Sequence, residues 1–281
     1  PWLSGRIAAL HALGDVHAMG AEPVGALAFA VVPYMAPAMM ADDLAQLMEG
    51  VRLELERHAC SLLGGHSCEG AEAMIALALT GRPGTDAASF RKGGGRPGDL
   101  LVLCKALGTG VVMAATTDGR LPTRDRDAAV AHMLQSNAAA VPVLRAHGLH
   151  GCTDVTGFGL LGHALEMADA SGCVLELRSG AAVALPGALA ALAAGEGSSL
   201  QSDNEALLER VVLRGVTRDA AALRLLADPQ TCGGLLAAVP EARAEACITA
   251  LQDAGYEAAR IVGRLQARTE GAQHEIRTHG A

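Results

Sequence analysis

The stretch Thr153-Asp154-Val155-Thr156-Gly157-Phe158-Gly159-Leu160-Leu161-Gly162-His163 gathers hydroxyls, one acid and three glycines at the start of an apolar helical pattern. Glycines let a ligand approach the backbone, and the free N–H groups of a helix start favour anions, so such a turn suits a phosphate. Asp154 stands just before it, where a carboxylate could hold a hard cation bridging phosphate oxygens. An Asx-turn or capping role explains the same residue equally well. Asp15, in Leu13-Gly14-Asp15-Val16-His17-Ala18-Met19-Gly20, is an acid on an Ala/Leu helix. Taken alone it reads as a solvated side chain before it reads as a metal ligand.

Weaker signals lie elsewhere. Gly64-Gly65-His66-Ser67 is either a backbone cradle with a hydroxyl or a plain strand-ending turn. His66 has no second His, Cys or Glu at zinc-ligand spacing, so no zinc site is read here. Lys105 before Gly108-Thr109-Gly110 resembles a phosphate loop only loosely, and G-x-x-x-x-G-K-[ST] is absent. Cys232, in Asp228-Pro229-Gln230-Thr231-Cys232-Gly233-Gly234, invites a nucleophile reading. A free Cys is ordinarily a small buried hydrophobe unless its surroundings lower its pKa.

The elements that must position these residues follow from periodicity. Ile7, Leu10, Leu13 and Val16 predict a helix over 4–19 that stops at Gly20, followed by a strand over 25–32. Leu44, Leu47, Met48, Val51 and Leu55 share one face of a helix over 41–60. A short strand over 61–63 runs into glycines, and 73–79 is an apolar run. From 80 to 99 the composition turns to Gly, Pro, Arg and Asp, which places a boundary between domains 1–97 and 98–281. The second unit is expected to hold strands at 100–104, 174–177, 235–239 and 259–262. Helices are expected at 111–117, 127–147, 159–171, 181–194, 219–226 and 241–254, with a frayed tail after Arg268. Alternating strands and helices indicate an α/β layer architecture.

The 281 residues are 51% hydrophobic and 19% charged, enough apolar surface for one large or two medium domains and too much for a disordered chain. A net charge of -8 removes the electrostatic footprint of a nucleic-acid binder. An anionic ligand then needs metals or backbone N–H groups. The 7 cysteines are scattered and form no C-x-x-C pair, which fits a reduced, cytoplasmic protein. The charge-free stretch 24–41 contains Pro33 and Pro37, so it reads as a buried strand and loop and not as a membrane span. No signal peptide opens the chain. The start at Pro1 without Met is expected of a piece of a longer polypeptide.

In order and over nearly the whole chain, several motifs resemble the selenide, water dikinase (selenophosphate synthetase) family. They are Gly5-Arg6-Ile7-Ala8-Ala9 with Gly14 to Gly20, Gly64 to Ser67, Lys105-Ala106-Leu107-Gly108-Thr109-Gly110, Thr153 to His163, and Asp228 to Leu236. The family belongs to the ATP-binding superfamily that also contains aminoimidazole ribonucleotide synthetase; Thr153 to His163 is its specific stretch, and sister enzymes carry other versions of that turn. The resemblance implies a two-domain α/β (α+β) fold whose first domain forms a β-barrel-like dimer interface. It implies conversion of ATP, selenide and water to selenophosphate, AMP and phosphate. Family aspartates that hold Mg²⁺ on the triphosphate map to Asp15 and Asp154. A loop that contacts ATP near the partner subunit maps to Gly65, His66 and Ser67, which implies a homodimer with shared active sites; Asp15 belongs to the ATP contacts as well.

Family members carry a glycine-rich segment with a catalytic Cys or selenocysteine, a Lys and further aspartates upstream of the point where this chain begins. No catalytic residue is therefore assigned within 1–281, and this piece by itself is expected to be inactive. In some bacteria the enzyme is fused behind a flavin-dependent oxidoreductase-like domain. Cys232 stands where many relatives have Ser, and His17 where an aromatic is common. Two other classes remain as readings: a non-catalytic dimerisation scaffold, against which Asp15 and Asp154 weigh, and a sister ATP-dependent kinase or synthetase of a small metabolite.

Overall fold

The computed structural model describes residues 1–84 and 89–278. Helix α1 (Trp2–Ala18) leads into β1 (Ala21–Pro33), helix α2 (Pro37–Arg57), β2 (Ser61–Gly70) and β3 (Met74–Pro83). These strands form a three-stranded sheet in the order β2-β1-β3, with β1 parallel to β2 and antiparallel to β3. A parallel pair needs a crossover, and α2 supplies it. Ala9, Leu10 and Leu13 on α1 and Val51 and Leu55 on α2 recur at helical spacing and are buried together with Ala26 of β1. The helices cross closely: a Cβ on Gly5 would lie 2.0 Å from the Leu47 carbonyl oxygen, and one on Gly50 would lie 2.1 Å from that of Trp2.

The second unit runs β4 (Leu100–Leu103), α3 (Thr109–Thr117), α4 (Thr123–Met133), α5 (Ala140–Ala146), β5 (Gly151–Asp154), α6 (Gly159–Ala170) and β6 (Cys173–Ser179). It continues with α7 (Ala188–Ala193), α8 (Gln201–Glu205), β7 (Val211–Arg214), α9 (Ala221–Ala227), β8 (Leu235–Val239), α10 (Glu241–Asp253), β9 (Arg260–Ala267) and β10 (His274–Thr278). The seven-stranded sheet has the order β5-β8-β4-β9-β6-β10-β7. β4 is antiparallel to both neighbours, whereas β10 is parallel to β6 and β7. Its centre is covered on both faces. Leu101 and Leu103 of β4 enter one core with Leu160, Leu161 and Leu223, while Leu100 and Val102 enter another with Leu144, Cys247 and Leu251. That is the period-two alternation of a strand. A third core joins the two units: Met133 of α4 and Cys232 pack among the side chains of α1 and α2. Among the described residues, no helix is long and apolar enough to cross a membrane.

Several expected elements differ: the strand expected over 61–63 continues through the glycines to Gly70 as β2, so Gly64 to Ser67 form no strand-ending turn. The helix over 127–147 is two, because Ser136 Oγ accepts the Ala138 N–H at 3.1 Å and the Ser136 carbonyl accepts the Tyr256 hydroxyl at 2.8 Å, so the chain turns between α4 and α5. The helix over 181–194 shrinks to α7, because Pro186 precedes Gly187 at φ 81, a left-handed conformation no helix continues through. The tail is not frayed over 274–278, where β10 bonds both β6 and β7.

Candidate functional site

Asp154 is the last residue of β5, and all four residues of that strand are buried. It pairs with Leu235 of β8, and the Val155 N–H that follows donates to the Gly234 carbonyl at 3.0 Å. The carboxyl is therefore fixed at the carboxyl end of β5, the edge strand beside β8, where the chain breaks into its glycine turn. That turn is held from three directions. The Thr156 N–H donates to His163 Nε2 at 3.1 Å, the Gln230 N–H to the Thr156 carbonyl at 2.9 Å, and Asn204 Nδ2 to the Gly157 carbonyl at 2.8 Å. An imidazole that accepts at Nε2 carries its proton at Nδ1. Burial, helped by Lys92 and opposed by Glu166, takes His163 down to about 4, so it stays neutral and keeps that acceptor role.

Asp15 comes to the same place from the other unit. It is exposed on α1 one residue after Gly14, and a Cβ on Gly14 would lie 3.4 Å from Asp154 Oδ2 and 3.9 Å from Asn137 Nδ2. The Asp154 carboxylate thus lies at van der Waals distance from α1 at Gly14. Burial first, then the nearby Asp15 charge, push Asp154 up to about 6. A carboxylate whose proton affinity is raised by burial and by a neighbouring acid is the arrangement a cation relieves. Asn137 stands nearby: its Nδ2 donates to the Gly233 carbonyl at 2.9 Å, and its buried Oδ1 has no hydrogen-bond partner among the described residues.

These donors are all oxygens, which suits a hard divalent cation and not a thiophilic one. Among the described residues, no group of three or more His, Cys, Asp or Glu could hold a metal alone. Asp15 and Asp154 thus fit an ion that keeps most of its shell as water and phosphate oxygens, which is how Mg²⁺ is commonly bound.

Gly65, His66 and Ser67 lie elsewhere, on β2, opposite Ala28, Phe29 and Ala30 of β1. The strand is exposed along its length and forms an edge of its sheet, and the His66 ring stacks on Phe29 at 6.1 Å. Gly65 and Ser67 line a cavity of about 210 Å³ with Ala28 and Met48, whereas Asp15 lines one of about 340 Å³ with Met19, Gly81 and Pro83. Within one chain the structure brings Asp15 near Asp154 and does not bring the 65–67 tripeptide into the cavity that Asp15 lines.

The loose phosphate-loop reading of Lys105 to Gly110 fails on hydrogen bonds. The Gly108 and Thr109 N–H groups donate to Gln230 Oε1 at 3.0 and 3.2 Å, and those of Gly110 and Val111 to the Asp228 carboxylate at 3.2 and 2.8 Å. The start of α3 is thereby capped from within. Lys105 is buried and its Nζ donates to the carbonyls of Gln135 at 2.9 Å and Cys232 at 2.5 Å; burial lowers it to about 8. Cys232 is no nucleophile: burial pushes its thiol up to about 12 even with Lys105 nearby, and Sγ donates to the Ile7 carbonyl at 3.2 Å. Sequence reading missed His11 and Asn137, and quoted His163 in its glycine-turn motif without giving it a role. His11, one helical turn before Asp15, carried a usable signal in its i, i+4 spacing; Asn137 sits in a turn that no local pattern marks.

Two family profiles match the chain: the AIR synthase related protein N-terminal domain over residues 1–82 and its C-terminal domain over 96–274. A selenide, water dikinase of Burkholderia pseudomallei (strain K96243) is 36% identical over 267 residues, 94% of this chain and 74% of that protein. One from Geobacter metallireducens (strain ATCC 53774 / DSM 7210 / GS-15) is 37% identical over 275 residues, 95% of this chain and 77% of that protein. Among solved structures, hydrogenase maturation protein HypE in complex with ATP superposes with a TM-score of 0.71 at 18% identity, covering 97% of this chain and 75% of HypE. Thiamine-monophosphate kinase from Stenotrophomonas maltophilia K279a gives 0.69 at 17% identity, covering 97% and 79%. At such identities the structural likeness speaks for the fold.

Proposed function

Because the chain belongs to the AIR synthase related proteins and, within them, to the selenide, water dikinase family, we propose that it serves the ATP-dependent synthesis of selenophosphate from selenide and water, with release of AMP and phosphate. The observation that carries this reading is the convergence of Asp15 and Asp154, from two folding units, beside Gly14. A net charge of -8 leaves the protein no cationic surplus for a triphosphate, so charge neutralisation falls to divalent ions. Mg²⁺, when bound, neutralises phosphate oxygens and the charge that develops during phosphoryl transfer.

The chain's own residues set up that chemistry. Asp15 and Asp154 hold the cation from opposite sides of the domain junction. The Thr156–Gly159 turn, braced by His163, Gln230 and Asn204, keeps the end of β5 from shifting when charge arrives. Gly65, His66 and Ser67 contact the nucleotide from the sheet edge of a partner subunit. Supporting a homodimer, Leu27, Phe29, Leu63 and Met74 of the small sheet are exposed large apolar side chains.

Product analysis in the full-length enzyme tests the proposal. Selenide-dependent formation of AMP with Mg²⁺, lost in Asp154→Asn, is expected; ADP as the sole nucleotide product without need of selenide assigns the protein to a sister kinase, and absence of Mg²⁺-dependent ATP binding makes it a scaffold.

A further inference from the structure

A backbone segment far from both carboxylates in sequence ties them together. Residues 231–234 run between α1 and the end of β5. On one side, the Cys232 N–H donates to His11 Nδ1 at 3.0 Å, and Cys232 Sγ donates to the Ile7 carbonyl at 3.2 Å, both on α1. On the other side, the Gly234 carbonyl accepts the Val155 N–H at 3.0 Å, and Gly233 approaches so closely that a Cβ there would lie 2.0 Å from the Val155 carbonyl oxygen. Val155 directly follows Asp154. His11 precedes Asp15 by one helical turn, so the two project from the same face of α1.

Cys232 itself has φ 52, the left-handed region that a non-glycine residue avoids. Such a conformation persists only where its surroundings over-determine it. Here His11 grips its N–H, Ile7 its thiol, and Lys105 its carbonyl at 2.5 Å, while Asn137 grips the carbonyl of the next residue at 2.9 Å. Of these, His11 is the side chain that belongs to the helix carrying Asp15.

We propose that His11 is a positioning residue for the divalent-cation site: through the Cys232 N–H it locks α1 to residues 231–234 and so sets the approach of Asp15 to Asp154. It touches neither the ion nor the nucleotide. The inference rests on the proposed function, in that the pair must bind a cation at all. Partners that orient metal ligands from outside the coordination shell typically change affinity by about 10- to 100-fold when removed.

The test is Mn²⁺ affinity of the folded protein, measured by calorimetry with the metal alone, beside the thermal midpoint of each variant. His11→Phe keeps a ring but removes the acceptor. His11→Gln keeps polarity but carries its oxygen on Cδ, one bond too far out. His11→Asn places an oxygen on Cγ, the atom that bears Nδ1. The expected result is a loss of about tenfold in affinity for the Phe and Gln variants and recovery to within about threefold of the parent for Asn. If all three variants bind Mn²⁺ as the parent does, whatever their thermal midpoints, His11 is structural and the inference is overturned. If Asn falls as far as Phe and Gln, the acceptor is not the operative feature and the inference is likewise overturned. A parent affinity indifferent to Asp154→Asn removes the functional reading, and this inference with it.

Discussion

The two sheets of this protein are built from the same apolar residues and end in opposite states. In the seven-stranded sheet, β4, β5 and β8 are buried at every position, and the alternate side chains of β4 and β8 enter two separate cores. In the three-stranded sheet, the face with Ala26, Leu77 and Leu79 packs on α1 and α2, but Leu27 and Phe29 on the opposite face meet solvent, as does the whole of β2. The large sheet is finished within one chain; the small one is half a layer. Layered folds need a cover on each apolar face, so the contrast locates where stability resides and where association is to be sought.

Truncation separates the two regimes most sharply. Leu101→Ala, in the middle of β4, is expected to destabilise the protein by about 3 kcal/mol through lost transfer energy and an unfilled cavity, as read by chemical denaturation. An equal effect from Leu63→Ala, at 70% exposure, would break the contrast. Phe29→Asp should weaken self-association by about 100-fold in sedimentation while leaving the monomer's fold intact; unchanged association would show that this face is not the dimer contact.

At the junction, Lys105→Met removes two hydrogen bonds and leaves the Gln135 and Cys232 carbonyls to find new partners, for an expected loss of about 2 kcal/mol. A smaller effect, visible as a slope, comes from Asp228. It is fully buried, and burial, opposed by its bonds to Gln230, Val111 and Gly110, pushes it up to about 7 from its ordinary 3.8. A carboxyl raised by folding binds its proton more tightly in the native state, so its contribution to stability is present below pH 4 and lost as pH rises towards 7. Asp228→Asn should flatten the dependence of the thermal midpoint on pH across that window; a parallel curve would deny the assignment.

Much of the small unit was legible in sequence, because α1, β1 and α2 are long enough for their periods to be counted. What escaped was set by partners remote in the chain. β5 is only Gly151–Asp154, too short to show alternation, so Asp154 read as a turn residue when it is a strand end paired with Leu235. β10 is a strand only because β6 and β7 flank it. The site shows the same division. The types and order of Asp15 and Asp154 marked them as candidates, yet base rates placed Asp15 on a solvated face, and it is indeed exposed; what singles it out is the approach of Asp154 to α1 beside it, a contact no local window holds. Cys232, read as a small buried hydrophobe before a nucleophile, is buried and is held by hydrogen bonds between the two units.

The most direct measurement is a double-mutant cycle on Mn²⁺ binding with Asp15→Asn, Asp154→Asn and the pair, each first shown to be folded. Each single change is expected to lower affinity by at least about tenfold, and the pair to lose less than the two losses combined, because both carboxylates serve one ion. Two single variants that bind Mn²⁺ as the parent does, or losses that add without coupling, would contradict a shared cation site.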